Sequence, residues 1–314
     1  GRLLGIEILS NRWGLPNRIY EKLLHRLHGK SLKGCDLIKT NQMLGADIAL
    51  RAARMWNKPL IARCGYMFSD YLVRQYGDDS GHTRSAQKLE QDVFQSADRI
   101  IVTTNQMLRD LRLRLPSCSQ KTHVVPNYVD TEKFFPTETN KDFDILFIGR
   151  LAYEKNIASL LEAVMKLKYR IIVIGKGPLE KELKEKYENL NGLLEWKGNI
   201  PNSELPGYMN RSKIFVLPSH YEGHPKTLIE SMSCGMPVIG ADSPGIRELI
   251  RHGENGWLCG TNVDSLNKAI RNLLDDIVLR KKLGINAHEF AFKKYNLDRI
   301  VTKDLEIIRF LGGY

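Results

Sequence analysis

No apolar run in this chain approaches the roughly 18 residues of a membrane span, and no signal peptide opens it. Cysteine is scarce. Cys35, Cys64, Cys118, Cys234 and Cys259 are odd in number, scattered, and never spaced as a metal pair. That argues against a disulfide framework or a zinc site and suits reduced thiols in a cytoplasmic protein. Internal repeats and low-complexity segments are missing too, and no basic cluster is interleaved with stacking aromatics. The net charge of +11 therefore favours a small anionic ligand or an anionic membrane surface over nucleic acid. Residues 1–140 carry 21 basic and 14 acidic side chains, and residues 141–314 carry 26 and 22, so the excess leans to the first half.

What is present fits a globular chain of two domains, since 314 residues allow two cores of about 150 residues each. Residues 16–27 read as a helix capped by Asn17, with Ile19, Tyr20, Leu23, Leu24 and Leu27 on one side and Arg18, Lys22 and Arg26 opposite. Such a basic amphipathic helix can lie on a membrane, but packing on its own sheet is the commoner use. His25 and His28 on this helix have no third ligand in view and read as surface residues. From Asp36 onward, strands at 37–39, 59–63, 99–103 and 123–125 alternate with helices at 46–56, 87–95 and 106–113. This alternation predicts a parallel, Rossmann-like sheet. Residues 137–141 are polar and suit an inter-domain linker. Beyond them, a buried strand delivers Gly149 and Arg150, a loop carries Lys155, and a helix starts at Asn156. Arg150 and Lys155 thus bracket a strand-to-helix turn, where free N–H groups favour an anion. Decoration of a loop is the plain alternative for both. The turn Gly175-Lys176-Gly177-Pro178 is a poor dinucleotide fingerprint, because a third glycine is absent.

The segment from 218 to 240 organises the rest: a strand at 213–217 enters a loop with Gly223 and Pro225, then a short helix, and a second strand at 238–241. Loops of this kind open into the ligand crevice of a doubly wound sheet. Glu222 and Glu230 are separated by seven residues. Taken alone, Glu230 falls beside Lys226, four residues back and away from Leu228, Ile229 and Met232, as on any solvated face.

The run Pro218-Ser219, Glu222-Gly223, Pro225, Glu230 and Cys234-Gly235-Met236-Pro237-Val238 closely resembles the donor-site motif of the retaining glycosyltransferases of family 4. Gly149-Arg150-Leu151 with Lys155, the turn 175–178, Ser243-Pro244-Gly245 with Glu248, the strand 97–102 and the turn Pro126-Asn127-Tyr128-Val129-Asp130 are similar to further motifs of that family. In the last, Tyr128 stands where glycine is usual. The likeness is dense from 144 to 274, thinner from 36 to 130, and lost before that, where the family's glycine-rich loop has no counterpart. Cys64-Gly65-Tyr66 also replaces a histidine common in the family.

The resemblance implies an α/β fold of two Rossmann-like domains facing across a cleft (GT-B), with the amino-terminal domain incomplete. The expected divisions are 1–137 for the acceptor side, 138–284 for the nucleotide-sugar side, and 285–314 for helices packing back on the first domain. It implies a retaining transferase that moves a sugar from a UDP-, GDP- or ADP-sugar to a saccharide or lipid-linked acceptor. No cofactor or metal is expected, and the enzyme would sit in the cytoplasm or at the inner membrane face. Arg150 and Lys155 would meet the diphosphate. Glu222 would hold the donor sugar, and Glu230 the ribose. Gly149, Asn199, Ile200, Gly223, His224, Pro225 and Thr227 would complete the donor site. Three alternatives stay open: a nucleotide-sugar-binding module without turnover, a nucleotide-sugar epimerase, and a nicotinamide-dependent oxidoreductase, the last disfavoured by the glycine pattern.

Overall fold

The computed structural model describes residues 2–3, 6–7, 11–190 and 192–312, without the side chains of 2, 3, 6, 7, 17, 18 and 312. The chain divides into two compact units, residues 1–124 with 306–314, and residues 125–305.

The first unit opens with the two-residue strands β1 (Arg2–Leu3) and β2 (Ile6–Glu7), followed by α1 (Asn17–Leu27) and α2 (Gly29–Leu32). A run of alternating elements comes next: β3 (Ile38–Lys39), α3 (Ala46–Trp56), β4 (Leu60–Cys64), α4 (Phe68–Tyr76), α5 (Gly81–Ser96), β5 (Arg99–Val102), α6 (Asn105–Arg114) and β6 (Thr122–Val124). The parallel sheet has the order β3-β4-β5-β6. Helix α4 was not foreseen, because its sequence mixes Phe68, Tyr71 and Val73 with Asp70 and Arg74 in no clean period. Its first turn is held by Glu90 of α5, which accepts from the Ser69 backbone N–H at 3.0 Å and from the Ser69 hydroxyl at 2.6 Å.

Several expectations for this unit need correction. The residue before α1 is Pro16, with no side-chain cap, so Asn17 is the first helical residue rather than the cap. His25 and His28 are buried, not on the surface. His28 bonds the Tyr20 hydroxyl at 2.8 Å, and His25 contacts the Ile48 carbonyl oxygen at 3.1 Å. Their rings pack edge-on against Trp13, Tyr20 and Trp56, which uses them as small aromatics.

In the second unit, the six-stranded sheet is built from β7 (Phe143–Ile148), α7 (Ile157–Met165), β8 (Ile171–Ile174), α8 (Glu180–Lys186), β9 (Leu194–Gly198), α9 (Leu205–Asn210), β10 (Ser212–Leu217), α10 (Lys226–Ser233), β11 (Val238–Ala241), α11 (Pro244–Arg247), β12 (Trp257–Cys259), α12 (Val263–Asp275) and α13 (Ile277–Tyr295). Helix α14 (Leu297–Gly312) begins in this unit, and its last turns belong to the first. The strand order is β12-β11-β10-β7-β8-β9, all parallel. Alternate residues feed opposite cores. Leu146, Ile148, Ile172, Phe215 and Val238 pack with α10 and α13, while Ile145, Phe147, Val173, Val216 and Ile239 pack with α7 and α12. Burial on both faces is why these strands read as unbroken apolar runs.

The polar stretch 137–141 is not a linker between units. Asn210 at the end of α9 accepts from the Thr137 N–H at 2.8 Å through its side chain and from the Thr139 hydroxyl at 2.8 Å through its carbonyl, so the segment is sewn to the second unit. The division into compact units falls at 124/125 instead of 137/138, and of the range 285–314 residues 285–305 group with the second unit while the last turns of α14 group with the first. Tyr295, Ala291 and Ala287 of α13 fill the core beside α10. Helix α9 is preceded by Glu204, without a side-chain cap. Glu248 sits at the carboxyl end of α11 and caps no following helix.

Three glycines allow the strand-end loops of this sheet to touch. A Cβ at Gly175 would meet the carbonyl oxygen of Gly149, one at Gly177 the backbone of Leu151, and one at Gly245 the carbonyl oxygens of Glu222 and Gly223. Gly207, inside α9, has open space instead. Replacing Gly177 with Ala is expected to destabilise the protein by about 1–3 kcal/mol through overpacking. Gly207→Ala is expected to stabilise it by about 0.5–1 kcal/mol, and denaturant unfolding of the two variants would check the contrast.

Candidate functional site

In the second unit, β7 is followed by β8 and β9 on one side, while β10, β11 and β12 extend from its other side. The chain reverses direction across the sheet between β7 and β10, and ligands of open parallel sheets bind outside the carboxyl ends at such a point. Two loops meet there: 149–156 after β7 and 218–225 after β10. Backbone and side chains join them, since the His220 N–H donates to the Glu154 carbonyl at 2.9 Å and the Asn156 side chain donates to the Pro218 carbonyl at 3.1 Å. Asn156 adopts a left-handed backbone (φ +51°), which an asparagine tolerates, and its amide also reaches the Thr261 carbonyl at 2.8 Å.

Across this seam Lys155 Nζ donates to Glu222 Oε1 at 2.6 Å, and the Ser219 hydroxyl donates to the same oxygen at 2.7 Å. Glu222 is 9% exposed, so its charge is held by a cation and a hydroxyl and little water. On the β8 and β9 side, Gly149 and Arg150 join Lys176, Asn199 and Ile200 around a groove of about 410 Å³. Arg150 is exposed there. The strand ends beneath are knitted by Gly149 N–H to the Ile174 carbonyl (3.0 Å) and Gly175 N–H to the Gly198 carbonyl (2.7 Å).

Helix α10 supplies the second carboxylate. Glu230 is 1% exposed, so it does not lie on the solvated face that helical phase alone suggested. Burial raises its pKa above the ordinary 4.5, while the Asn202 amide and then Lys226 and Lys133 pull it back down. Asn202 Nδ2 donates to Glu230 Oε1 at 3.1 Å, and Lys226 Nζ is 3.9 Å from that oxygen. The first turn of α10 includes Thr227, half-buried, and leaves backbone N–H groups without intrahelical partners, as every helix start does. His224, buried just before it, packs its ring edge-on against Tyr295 at 5.2 Å. Its carbonyl accepts from Asn127 Nδ2 at 2.7 Å, which anchors the turn 126–130 to this loop.

The sequence-predicted residues of this half therefore form two groups. Lys155, Glu222, Gly223, His224 and Pro225 gather at the reversal point, and Gly149, Arg150, Asn199 and Ile200 gather at the neighbouring groove. Sequence reasoning missed Asn202 and Lys133, polar residues in loops where no periodicity marks them. It quoted Ser219, Asn127 and Ser243 as parts of motifs without giving them a role; the Ser243 hydroxyl is buried and finds no hydrogen-bond partner among the described residues. Asp142 and Asp144 form an Asp-x-Asp pair at the amino end of β7, opposite the carboxyl ends where the loops of the site lie, and Asp142 is tied to Arg211 and Asp144 to Lys213. Among the described residues, no group of three or more His, Cys, Asp and Glu side chains is placed to hold a metal. In the first unit, Cys64 is fully buried, its thiol donates to the Tyr66 carbonyl at 2.7 Å, and burial pushes its pKa up.

The parallel sheet thus reverses at β7/β10, with a lysine–glutamate pair over the reversal and a groove lined by Arg150 and Lys176 beside it, the place where open α/β sheets bind ligands. The family profile described as Glycosyl transferases group 1 matches residues 129–290, more than half of the chain, and that of Glycosyltransferase Family 4 matches residues 5–133. The chain belongs to the glycosyl transferases group 1 family. The second match reaches well before residue 36, where the motifs alone had lost the likeness. An uncharacterized glycosyltransferase of Methanocaldococcus jannaschii is 29% identical over 66% of this chain and 58% of its own length. The UDP-Gal:alpha-D-GlcNAc-diphosphoundecaprenol alpha-1,3-galactosyltransferase of Escherichia coli is 33% identical over 58% of this chain and 52% of its own. The chain thus spans about half the length of the curated relatives it matches. Among solved structures, the sucrose-phosphate synthase of Thermosynechococcus elongatus superposes with a TM-score of 0.81 at 22% identity, over 95% of this chain and 80% of that one, and shares the GT-B fold.

The raised pKa of Glu230 gives the site a pH signature. A carboxyl whose folded pKa lies above its unfolded value adds stability below the unfolded value and loses it as pH rises through the folded one. Glu230→Gln is therefore expected to leave unfolding stability nearly unchanged near pH 4. Its stabilising gain should then grow as the pH is raised to 7, read from thermal unfolding across that range.

Proposed function

We propose that this chain transfers a sugar from a nucleoside-diphosphate donor to a saccharide or lipid-linked acceptor, with retention at the anomeric carbon. The observation that carries this reading is the Lys155–Glu222 contact at 2.6 Å over the strand reversal. The bond from the anomeric carbon to the diphosphate breaks, and a bond from that carbon to an acceptor hydroxyl oxygen forms. The acceptor's proton passes to the departing diphosphate. Arg150, Lys155 and the N–H groups from Gly223 to Thr227 would meet the negative charge that grows on the leaving group, so the reading is metal-independent. A fixed, partly dry array of donors needs no reorganisation as the charge develops. Glu222 would accept hydroxyls of the donor sugar, and Glu230 those of the ribose, because a carboxylate can accept two hydroxyl bonds at once.

The acceptor class is supported by the E. coli relative, whose name gives a UDP-sugar donor and a diphosphoundecaprenol-linked acceptor. The basic excess of residues 1–140 suits work at the cytoplasmic face of an anionic membrane. No helix among the described residues is long and apolar enough to cross one.

Incubation with UDP-, GDP- and ADP-sugars and a membrane-lipid acceptor fraction is expected to release free nucleoside diphosphate only when acceptor is present, and equally in EDTA. Arg150→Ala should lower turnover by about 100- to 1,000-fold. Lys155→Ala and Glu230→Ala should each weaken donor binding. Interconversion of the donor sugar without transfer, or binding without turnover, would replace this reading with an epimerase or a binding module.

A further inference from the structure

Glu230 is nearly sealed from solvent, yet its carboxylate is not paired by a close cation, since Lys226 stands off at 3.9 Å. The nearer partner is neutral. Asn202, on the loop that follows β9, donates from Nδ2 to Glu230 Oε1 at 3.1 Å. The other end of that amide is occupied as well, because Lys133 Nζ donates to Asn202 Oδ1 at 2.7 Å. An ammonium has only donors and a carboxylate only acceptors, so the two ends fix which way the amide faces. Lysine on one side and carboxylate on the other also polarise the amide in the same sense.

The loop that carries Asn202 begins at Asn199 and Ile200, which line the groove beside Arg150 and Lys176. Asn202 therefore joins the groove to the carboxylate on α10. Asn202 takes one acceptor site of Oε1 and leaves the remaining lone pairs of the carboxylate to other donors.

We propose that Lys133 and Asn202 form a positioning relay that orients Glu230 to accept the ribose hydroxyls of a nucleoside diphosphate, so that the site distinguishes ribose from deoxyribose. The inference rests on the donor reading above. Asn202 and Lys133 act through Glu230 and are positioning residues. A site built to accept a hydroxyl rejects the analogue without it, because the buried acceptor is left unpaired.

Calorimetry on the full chain tests this with UDP, GDP and ADP and with the 2′-deoxy counterpart of whichever binds. The wild type is expected to prefer the ribonucleotide by about tenfold or more, since hydrogen bonds to charged groups carry that weight. In Asn202→Ala the ribonucleotide should weaken until it matches the deoxyribonucleotide, whose own affinity stays unchanged. Lys133→Met should move the ratio the same way by a smaller factor, and Lys133→Arg should restore it. A variant that merely loosens the loop would weaken both ligands alike, and that result would overturn the relay. So would Asn202→Ala with the preference intact while Glu230→Gln abolishes it, an outcome that leaves the donor reading standing. If the wild type binds no nucleoside diphosphate, the donor reading and the relay fall together.

Discussion

The arrangement of the second unit depends on how closely main chain can approach main chain at the carboxyl ends of its strands. Gly175 lies against Gly149, Gly177 against Leu151, and Gly245 against Glu222 and Gly223. Any side chain at these three points would push apart the loops that carry Arg150, Lys155 and Glu222. The glycines hold no ligand themselves, but they set the spacing at which a lysine from one loop can reach a glutamate from the next. Residues that would do chemistry are thus placed by residues that have none.

Given that spacing, the charges of the site fall into two environments. Glu222 accepts on one oxygen from both Lys155 and Ser219. Glu230 is held by a neutral amide in a drier place, where ionisation costs more. The two carboxylates resemble each other in sequence spacing only. One is compensated by a full positive charge, whereas the other has a neutral amide as its nearer partner and Lys226 at 3.9 Å.

Much of this was legible in the sequence because it rests on local rules. Strand β11 was placed at Val238–Ala241, helix α3 at Ala46–Trp56, and β10 to within one residue, since each is an apolar run between turn residues. Gly149, Arg150 and Lys155 were placed by their position after a buried strand. The polar contacts between distant residues were not legible. Asn202 reaches Glu230 across 28 positions and Lys133 reaches Asn202 across 69, and a loop of Pro, Asn and Ser carries no period to announce it. Helical phase misplaced Glu230 on the exterior because phase knows its own helix and not the loop that covers it. The polarity of 137–141 misled for a related reason, because Asn210 satisfies that segment inside a unit instead of leaving it to water.

One small pairing has a larger consequence. Val129 bridges Asn296, with the Val129 N–H on the Tyr295 carbonyl at 2.8 Å and the Leu297 N–H on the Val129 carbonyl at 3.0 Å. The polypeptide therefore leaves its second unit beside the place where it came in, about 170 residues earlier in the chain by the span 129 to 296. A fold whose two ends are stitched together this way suits rewiring, as one insert spliced into another protein or as a chain reopened at a surface turn with its natural ends fused.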